Sequence, residues 1–280
     1  MRSKPEFDSV LLNGKKIHID VYPNAADRPV ILFIPGMGCY AGLYDEFLGA
    51  LADSGFTVIG IDPPGLGRSE GPRGRFEFHE VIDCVSVIIS HAAARFSERI
   101  GVMGSSLGGT YALYASLNDS RIKSTFCHGA MDISQDLHIP TRFPAIVQFL
   151  VRYFRGAARI ISKFPIPLKV LVNWNHVVES QSLLRSIKND PLMVWYYSLG
   201  SWISFADYRP GKVLRELSTP LTIVTGESDL LFPPSHCAKL AEKISSQGVS
   251  LQIVPGGHFL PMEYLPTFLP VVVEWFAKTL

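Results

Sequence analysis

The 280-residue chain has only four cysteines, Cys39, Cys84, Cys127 and Cys237, and no two stand in C-x-x-C or C-x-H spacing. That scatter excludes a zinc-finger-type site and a dense disulfide framework, and the expectation is four buried reduced thiols. The chain has no surplus of either charge, with 26 Lys and Arg against 25 Asp and Glu, so nothing overall favours nucleic acid or a strongly acidic partner. No stretch reaches the ~18 consecutive apolar residues needed to span a bilayer. The opening MRSKPEFDSVLLNGKK lacks the apolar centre of a secretion signal. There is no internal repeat and no low-complexity tract. These absences lead to the expectation of a soluble, cytoplasmic chain.

What is present is a large supply of core residues in an α/β pattern. Hydrophobic residues make up 47% of the chain, enough for a sizeable core. Short β-branched runs at Val30–Ile34, Thr57–Ile61, Ile100–Met103, Ser124–Cys127, Leu221–Thr225 and Ser250–Val254 alternate with longer helical patterns. Each run is followed closely by Gly, Pro or Asp, as expected for buried strands of a mostly parallel sheet with helices on both faces. The start differs. Ser9–Leu12 and Lys15–Val21 flank Asn13-Gly14, which suits a type I′ hairpin, so the sheet is expected to begin antiparallel.

The alternation stops between 131 and 217. The stretch is too long for a loop and is read as a helical cap inserted into a core made of 1–130 and 218–280. From Leu137 to Val178 there is no Asp or Glu, yet Arg142, Arg152, Arg155, Arg159, Lys163 and Lys169 lie within it. In FLVRYFRGAARIISKF the cations recur at three- and four-residue steps, giving a helix one cationic and one apolar face. Segment 142–169 could therefore make peripheral membrane contact or bind an anionic ligand, or it could be an ordinary cap helix with snorkelling cations. The cap's aromatics, including Trp174, Trp195 and Trp202, are candidates for lining a substrate pocket, or equally for forming the cap's own core.

The chemistry centres on GVMGSSLGGTYALYA, residues 101–115. The pattern G-x-S-x-G between a strand and a helix pushes one serine hydroxyl out over the sheet edge, with small residues two places either side. Ser106 fits that register between Gly104 and Gly108. Ser105 would be flanked by Met103 and Leu107, both too large for the turn. A serine hydroxyl needs a base, and the base needs an anion to fix its tautomer. In VPGGHFLPME two glycines precede His258 after the last expected strand, allowing the ring to reach the sheet edge. His18, His79, His91, His128, His138, His176 and His236 are read as structural, with His236 solvated after a Pro-Pro turn. For the acid, TGESDLLFPP offers Glu227 and Asp229, and Asp132 follows the preceding strand. Asp229 is preferred because it lies far enough into its loop to turn back toward His258. Oxyanion donors would be the amide of Leu107 at the helix start and that of Met37 in PGMGCY.

Together these residues resemble the α/β-hydrolase superfamily over essentially the whole chain outside the cap. Asp62-Pro63-Pro64-Gly65-Leu66-Gly67-Arg68-Ser69 is similar to its D-x-x-G-x-G-x-S loop, and the following Glu70-Gly71-Pro72-Arg73-Gly74 resembles the monoacylglycerol lipase and lysophospholipase branch. The resemblance implies a Ser106–Asp229–His258 triad with Met37 and Leu107 as oxyanion donors, and no cofactor or metal. Pro35-Gly36 stands where many relatives carry His-Gly. The implied activity is carboxylic ester hydrolysis on monoacylglycerol- or lysophospholipid-like substrates. Thioesterase, amidase and C–C hydrolase chemistry remain open with the same triad, as does a non-catalytic receptor on the same fold.

Overall fold

The computed structural model describes residues 3–133, 161–244 and 249–280. Strands β1 (Glu6–Leu12) and β2 (Lys15–Tyr22) form the expected hairpin. Its turn residues Asn13 and Gly14 both have positive φ, 51° and 79°, as a type I′ turn demands. The strands β3 (Val30–Ile34), β4 (Thr57–Ile61), β5 (Ile100–Ser105) and β6 (Ile122–His128) follow. After the short β7 (Pro165–Pro167) and β8 (Tyr196–Ser198), the chain returns to the main sheet as β9 (Leu221–Gly226) and β10 (Val249–Val254).

The eight-stranded sheet has the order β1-β2-β4-β3-β5-β6-β9-β10. It is parallel from β4 to β10 and antiparallel at the β1 and β2 edge. Every residue of β3, β4 and β5 is buried, which is why those strands read as continuous apolar runs rather than as an alternation. Three helices pack on them: α1 (Asp45–Asp53), α2 (Phe78–Arg95) and α3 (Leu107–Asn118). At the start of α2 the Glu80 side chain accepts from the Glu77 amide at 2.8 Å, satisfying an amide that a helix start otherwise leaves unpaired. α3 is buried on all sides from Leu107 to Leu117, so its sequence carries no polar face.

The parallel strands all deliver their carboxyl ends to one edge, where ligands bind in folds of this type. The β3 loop, the β5–α3 turn, His128 at the end of β6 and the loops after β9 and β10 meet there. Asp62, at the end of β4, is a structural cap: its carboxylate accepts from the amides of Ala41 and Arg68, each at 2.8 Å.

The stretch expected to be a helical cap is not wholly helical in its described part. It contains helices Gln181–Asn189 and Leu199–Asp207, but also the antiparallel pair β7 and β8. Pro165 and Pro167 cannot sit inside a helix and are tolerated in a three-residue edge strand. Residues 134–160, which hold Arg142, Arg152, Arg155 and Arg159, lie outside the described residues. Among the described residues no helix is long and apolar enough to cross a membrane. All four cysteines are free and buried. Burial pushes their thiols up, to about 12 for Cys39 and Cys237.

Candidate active site

The bend at Ser106 is enforced by steric contacts on both sides. Ser106 has φ 58° and ψ −121°, a conformation that glycine favours and a non-glycine residue holds at a cost of about 1–3 kcal/mol. A Cβ at Gly104 would stand 1.9 Å from the Gly108 carbonyl oxygen, and one at Gly108 would stand 2.1 Å from that of Ile34. Strand, helix and neighbouring strand thus touch through backbone alone. The Ser106 amide donates to the His128 carbonyl at 2.6 Å, tying the bend to β6.

His258 and Asp229 are brought together by the register of the last two strands. Val254 pairs with Gly226, and a Cβ at Gly226 would meet the carbonyls of Gly256 and Gly257 at 2.3 and 2.4 Å. The two loops therefore leave the sheet in contact. His258 Nδ1 lies 2.9 Å from Asp229 Oδ2. The other carboxylate oxygen accepts from the amides of Leu231 at 2.7 Å and Phe232 at 2.9 Å. Burial pushes the Asp229 carboxyl up, but the His258 ring and these hydrogen bonds outweigh it and hold the group down at about 2. Asp229 is therefore ionised and only accepts, so His258 Nδ1 carries a proton toward it and Nε2 is the ring nitrogen turned away from the carboxylate.

Ser106 and His258 line one cavity. Among the described residues no hydrogen bond joins the Ser106 hydroxyl to the ring. Such contacts commonly close only when substrate binds. Among the described residues neither of the other candidate acids bonds His258. Asp132 is buried and accepts from Tyr114 at 3.1 Å, and Glu227 is exposed at the strand end.

Sequence reasoning set aside His128 and Ser105, yet both lie directly beneath the site. Their side chains are 2.9 Å apart in full burial, and the His128 ring centroid is 5.7 Å from that of His258. Burial, followed by the His258 ring, pushes the His128 imidazole down to about 3, so it is neutral. The signal that could have found the pair is the β5–β6 register, which sets Ser105 opposite His128. His236 is only partly solvated, against expectation: its Nε2 lies 3.1 Å from the Ala130 carbonyl oxygen, because the Pro233–Pro234 turn directs it back against the chain that follows β6. His128, Asp229 and His258 each offer an atom within 4.8 Å of the others, and the Asp229 carboxylate there is already bound to His258 and to two amides.

The β3 loop brings a further unpaired amide to the bend. Gly36 N donates to Tyr44 Oη at 3.4 Å, Gly38 N to Tyr197 Oη at 2.7 Å and Cys39 N to Gly36 O at 3.1 Å. Among the described residues no acceptor takes the Met37 amide between them. The loop lies against the bend, since a Cβ at Gly36 would be 3.5 Å from Ser106 Cβ. The Leu107 amide is the first of α3, where helix geometry provides no partner.

The three candidate pocket tryptophans separate. Trp174 lines the Ser106 cavity together with Met131, Val172, Val177, Phe232 and Phe259. Trp195 packs against Trp174, centroids 5.1 Å apart, and lines a neighbouring cavity instead. Trp202 does not reach either: it sits between Tyr197 and Phe205, 5.5 Å from each, because the helix Leu199–Asp207 turns that face toward α2. The free volume around Ser106 is about 40 Å³, and its walls are apolar apart from the groups named.

Comparison with known proteins gives consistent likenesses. The family model for hydrolases described as serine aminopeptidase, S33, matches residues 25–263. An uncharacterized 31.7 kDa protein from the traX-finO intergenic region of Escherichia coli is 24% identical over 98% of this chain and 99% of its own. The monoacylglycerol lipase of Mycolicibacterium smegmatis is 26% identical over 91% of this chain and 89% of its own. Among solved structures, a soluble variant of monoglyceride lipase from Saccharomyces cerevisiae superposes with a TM-score of 0.78 at 16% identity, covering 99% of this chain and 96% of that one.

Proposed function

From the premise that this chain belongs to the serine aminopeptidase S33 family of hydrolases, within the monoacylglycerol-lipase-like branch of the α/β-hydrolases, we propose that it cleaves carboxylic esters through an acyl-enzyme on Ser106. The observation that carries this reading is the Ser106 side chain, held at positive φ and facing the same apolar cavity as a histidine whose Nδ1 is bound to an ionised aspartate.

In this mechanism His258 Nε2 takes the Ser106 proton as Oγ attacks the ester carbonyl. The tetrahedral oxyanion forms between the amides of Met37 and Leu107, each such donor being worth about 100- to 1,000-fold in rate. The imidazolium, stabilised by Asp229, then protonates the departing alkoxide. Water activated by the same ring releases the acid and restores Ser106. Phe232 lies nearly parallel to the His258 ring, centroids 5.9 Å apart at an interplanar angle of 19°.

An ester fits this site better than a peptide with a free amino terminus. Among the described residues lining the cavity none is acidic, and Asp229 is fully engaged with His258 and two amides. A terminal ammonium would be desolvated there without a counter-charge. The apolar walls, around a free volume of about 40 Å³, instead suit a short acyl group.

Labelling with a fluorophosphonate tests the reading. The protein should become covalently labelled, and Ser106→Ala should abolish both the label and turnover of p-nitrophenyl esters, the latter by on the order of a million-fold. Labelling that survives the substitution, or a rate loss below tenfold, rejects it.

A further inference from the structure

Beneath Ser106 lies a polar pair that the proposed reaction does not use. Ser105 Oγ and His128 Nδ1 are 2.9 Å apart, set opposite each other by the β5–β6 register, and both residues are buried. The other ring nitrogen, His128 Nε2, is fully enclosed and has no hydrogen-bond partner among the described residues. A buried polar atom without a partner is destabilising, whereas exchanging both members of a pair for apolar groups of similar shape is often neutral or favourable. Ser105 and His128 are therefore kept against the stability of the fold, and such departures concentrate at functional sites.

The pair adjoins each part of the site. The His128 carbonyl accepts from the Ser106 amide at 2.6 Å, and its ring centroid is 5.7 Å from that of His258. A nitrogen of His128, a nitrogen of His258 and a carboxylate oxygen of Asp229 lie within 4.8 Å of one another. On the opposite side Ser105 is hydrogen-bonded to the Tyr44 hydroxyl, which accepts from the Gly36 amide at 3.4 Å, one residue from Met37. His128 is neutral, because burial, followed by the His258 ring, pushes its imidazole down to about 3. It therefore carries one ring proton, and the Asp229 charge decides where. A lone pair at Nε2 would be repelled by the nearby carboxylate and a proton there attracted, a difference that a buried site screens poorly. With the proton on Nε2, Nδ1 has to accept and Ser105 has to donate.

We infer that Ser105 and His128 are positioning residues of the triad: the Ser105 hydroxyl fixes the His128 tautomer, and the His128 Nε2–H steadies the ionised Asp229 and, through it, the His258 ring above Ser106. This rests on the ester-hydrolase reading and adds two residues to its machinery. Neither residue bonds the ester. They act on alignment, and in such a constellation a misplacement of about 1 Å can cost about 100-fold in rate.

The test separates alignment from stability with three variants, Ser105→Ala, His128→Phe and the two combined, each read by calorimetric Tm and by kcat and KM for p-nitrophenyl acetate. Phenylalanine keeps a ring against Phe268, whose centroid is 5.3 Å from that of His128. Each single substitution strands a buried partner and should lower Tm, and the double substitution, which removes both, should restore it. The rate should not follow. In all three variants kcat should stay about tenfold or more below wild type, with KM within about twofold. A purely structural pair predicts that kcat recovers together with Tm in the double variant. That recovery, a Ser105→Ala kcat within about twofold of wild type, or a loss carried by KM would each overturn the inference, and Ser105→Ala, which removes one oxygen, decides the matter even if the double variant does not fold. Failure of the ester-hydrolase reading would appear separately, as fluorophosphonate labelling of the otherwise unaltered protein that does not depend on Ser106.

Discussion

The His128 ring lies under the His258 ring at a centroid separation of 5.7 Å and an interplanar angle of 32°, so two imidazoles share one buried site. Burial and the His258 ring push His128 from 6.5 to about 3. In the unfolded chain it regains its ordinary value and binds a proton below about 6.5, which the native state does not do until about 3. Its contribution to stability is therefore complete above that window and is lost as pH falls through it. Asp229 acts lower: held at about 2 against 3.8, it stabilises above about 4 and loses that contribution as pH falls toward 2. Melting temperatures of wild type and His128→Gln from pH 7 to 4 should show a shallower decline for the variant. Parallel curves would contradict the assignment of His128 as a buried neutral base.

Ser106 should trade stability for chemistry. At φ 58° and ψ −121° its side chain is strained, and glycine would relieve that strain, offset in part by the greater entropy of the unfolded glycine chain. Ser106→Gly should be more stable by about 1 kcal/mol, a rise of roughly 2 °C in Tm, while losing all fluorophosphonate labelling. A lower Tm in calorimetry would mean that the serine is not strained.

Much of this could be read before any coordinates. Ile100–Ser105 and Leu107–Asn118 are legible because a strand buried on both faces and a helix buried on all sides leave runs of apolar residues broken by the glycines that close packing needs. Asp229 and His258 are legible from their places after strands. What was not legible depends on which strands are neighbours. His128 touches the site because β5 pairs with β6 in the Ser105–His128 register, a non-local fact that no window of sequence contains. For the same reason three tryptophans with similar surroundings in sequence divide among a cavity wall, its outer backing and a separate aromatic cluster.

The two oxygens of Asp229 make a distinct prediction for Asp229→Asn. The oxygen that accepts from the Leu231 and Phe232 amides cannot be replaced by an NH₂ without opposing two donors, so the amide nitrogen must face His258. Nδ1 then has to accept, the ring proton moves to Nε2, and the base toward Ser106 is lost. Turnover should fall on the order of 10⁴-fold with the fold intact, as circular dichroism and thermal melts would show. A loss below about tenfold would mean that Asp229 does not set the tautomer.

The oxyanion loop is held from outside the core. Gly38 N donates to Tyr197 Oη at 2.7 Å, and Val194 N donates back to Gly38 O at 3.0 Å, so the segment between β6 and β9 clamps the residue next to the Met37 amide. Gly38 has φ 73°, and a Cβ there would lie 2.3 Å from the Val194 carbonyl oxygen, so the clamp tolerates no side chain. Tyr197→Phe removes the acceptor while keeping the ring packed on Phe76, 4.8 Å away, and leaves a buried N–H unpaired at a cost of about 1–3 kcal/mol. A structural role alone would lower Tm and leave the rate per folded molecule unchanged. With the proposed donor Met37 in the same loop, kcat for p-nitrophenyl esters should fall about tenfold or more with KM nearly constant, since such a donor acts on the transition state rather than on the bound ester. If KM rises while kcat holds, Tyr197 shapes the pocket instead, and Met37 loses its support as the second donor.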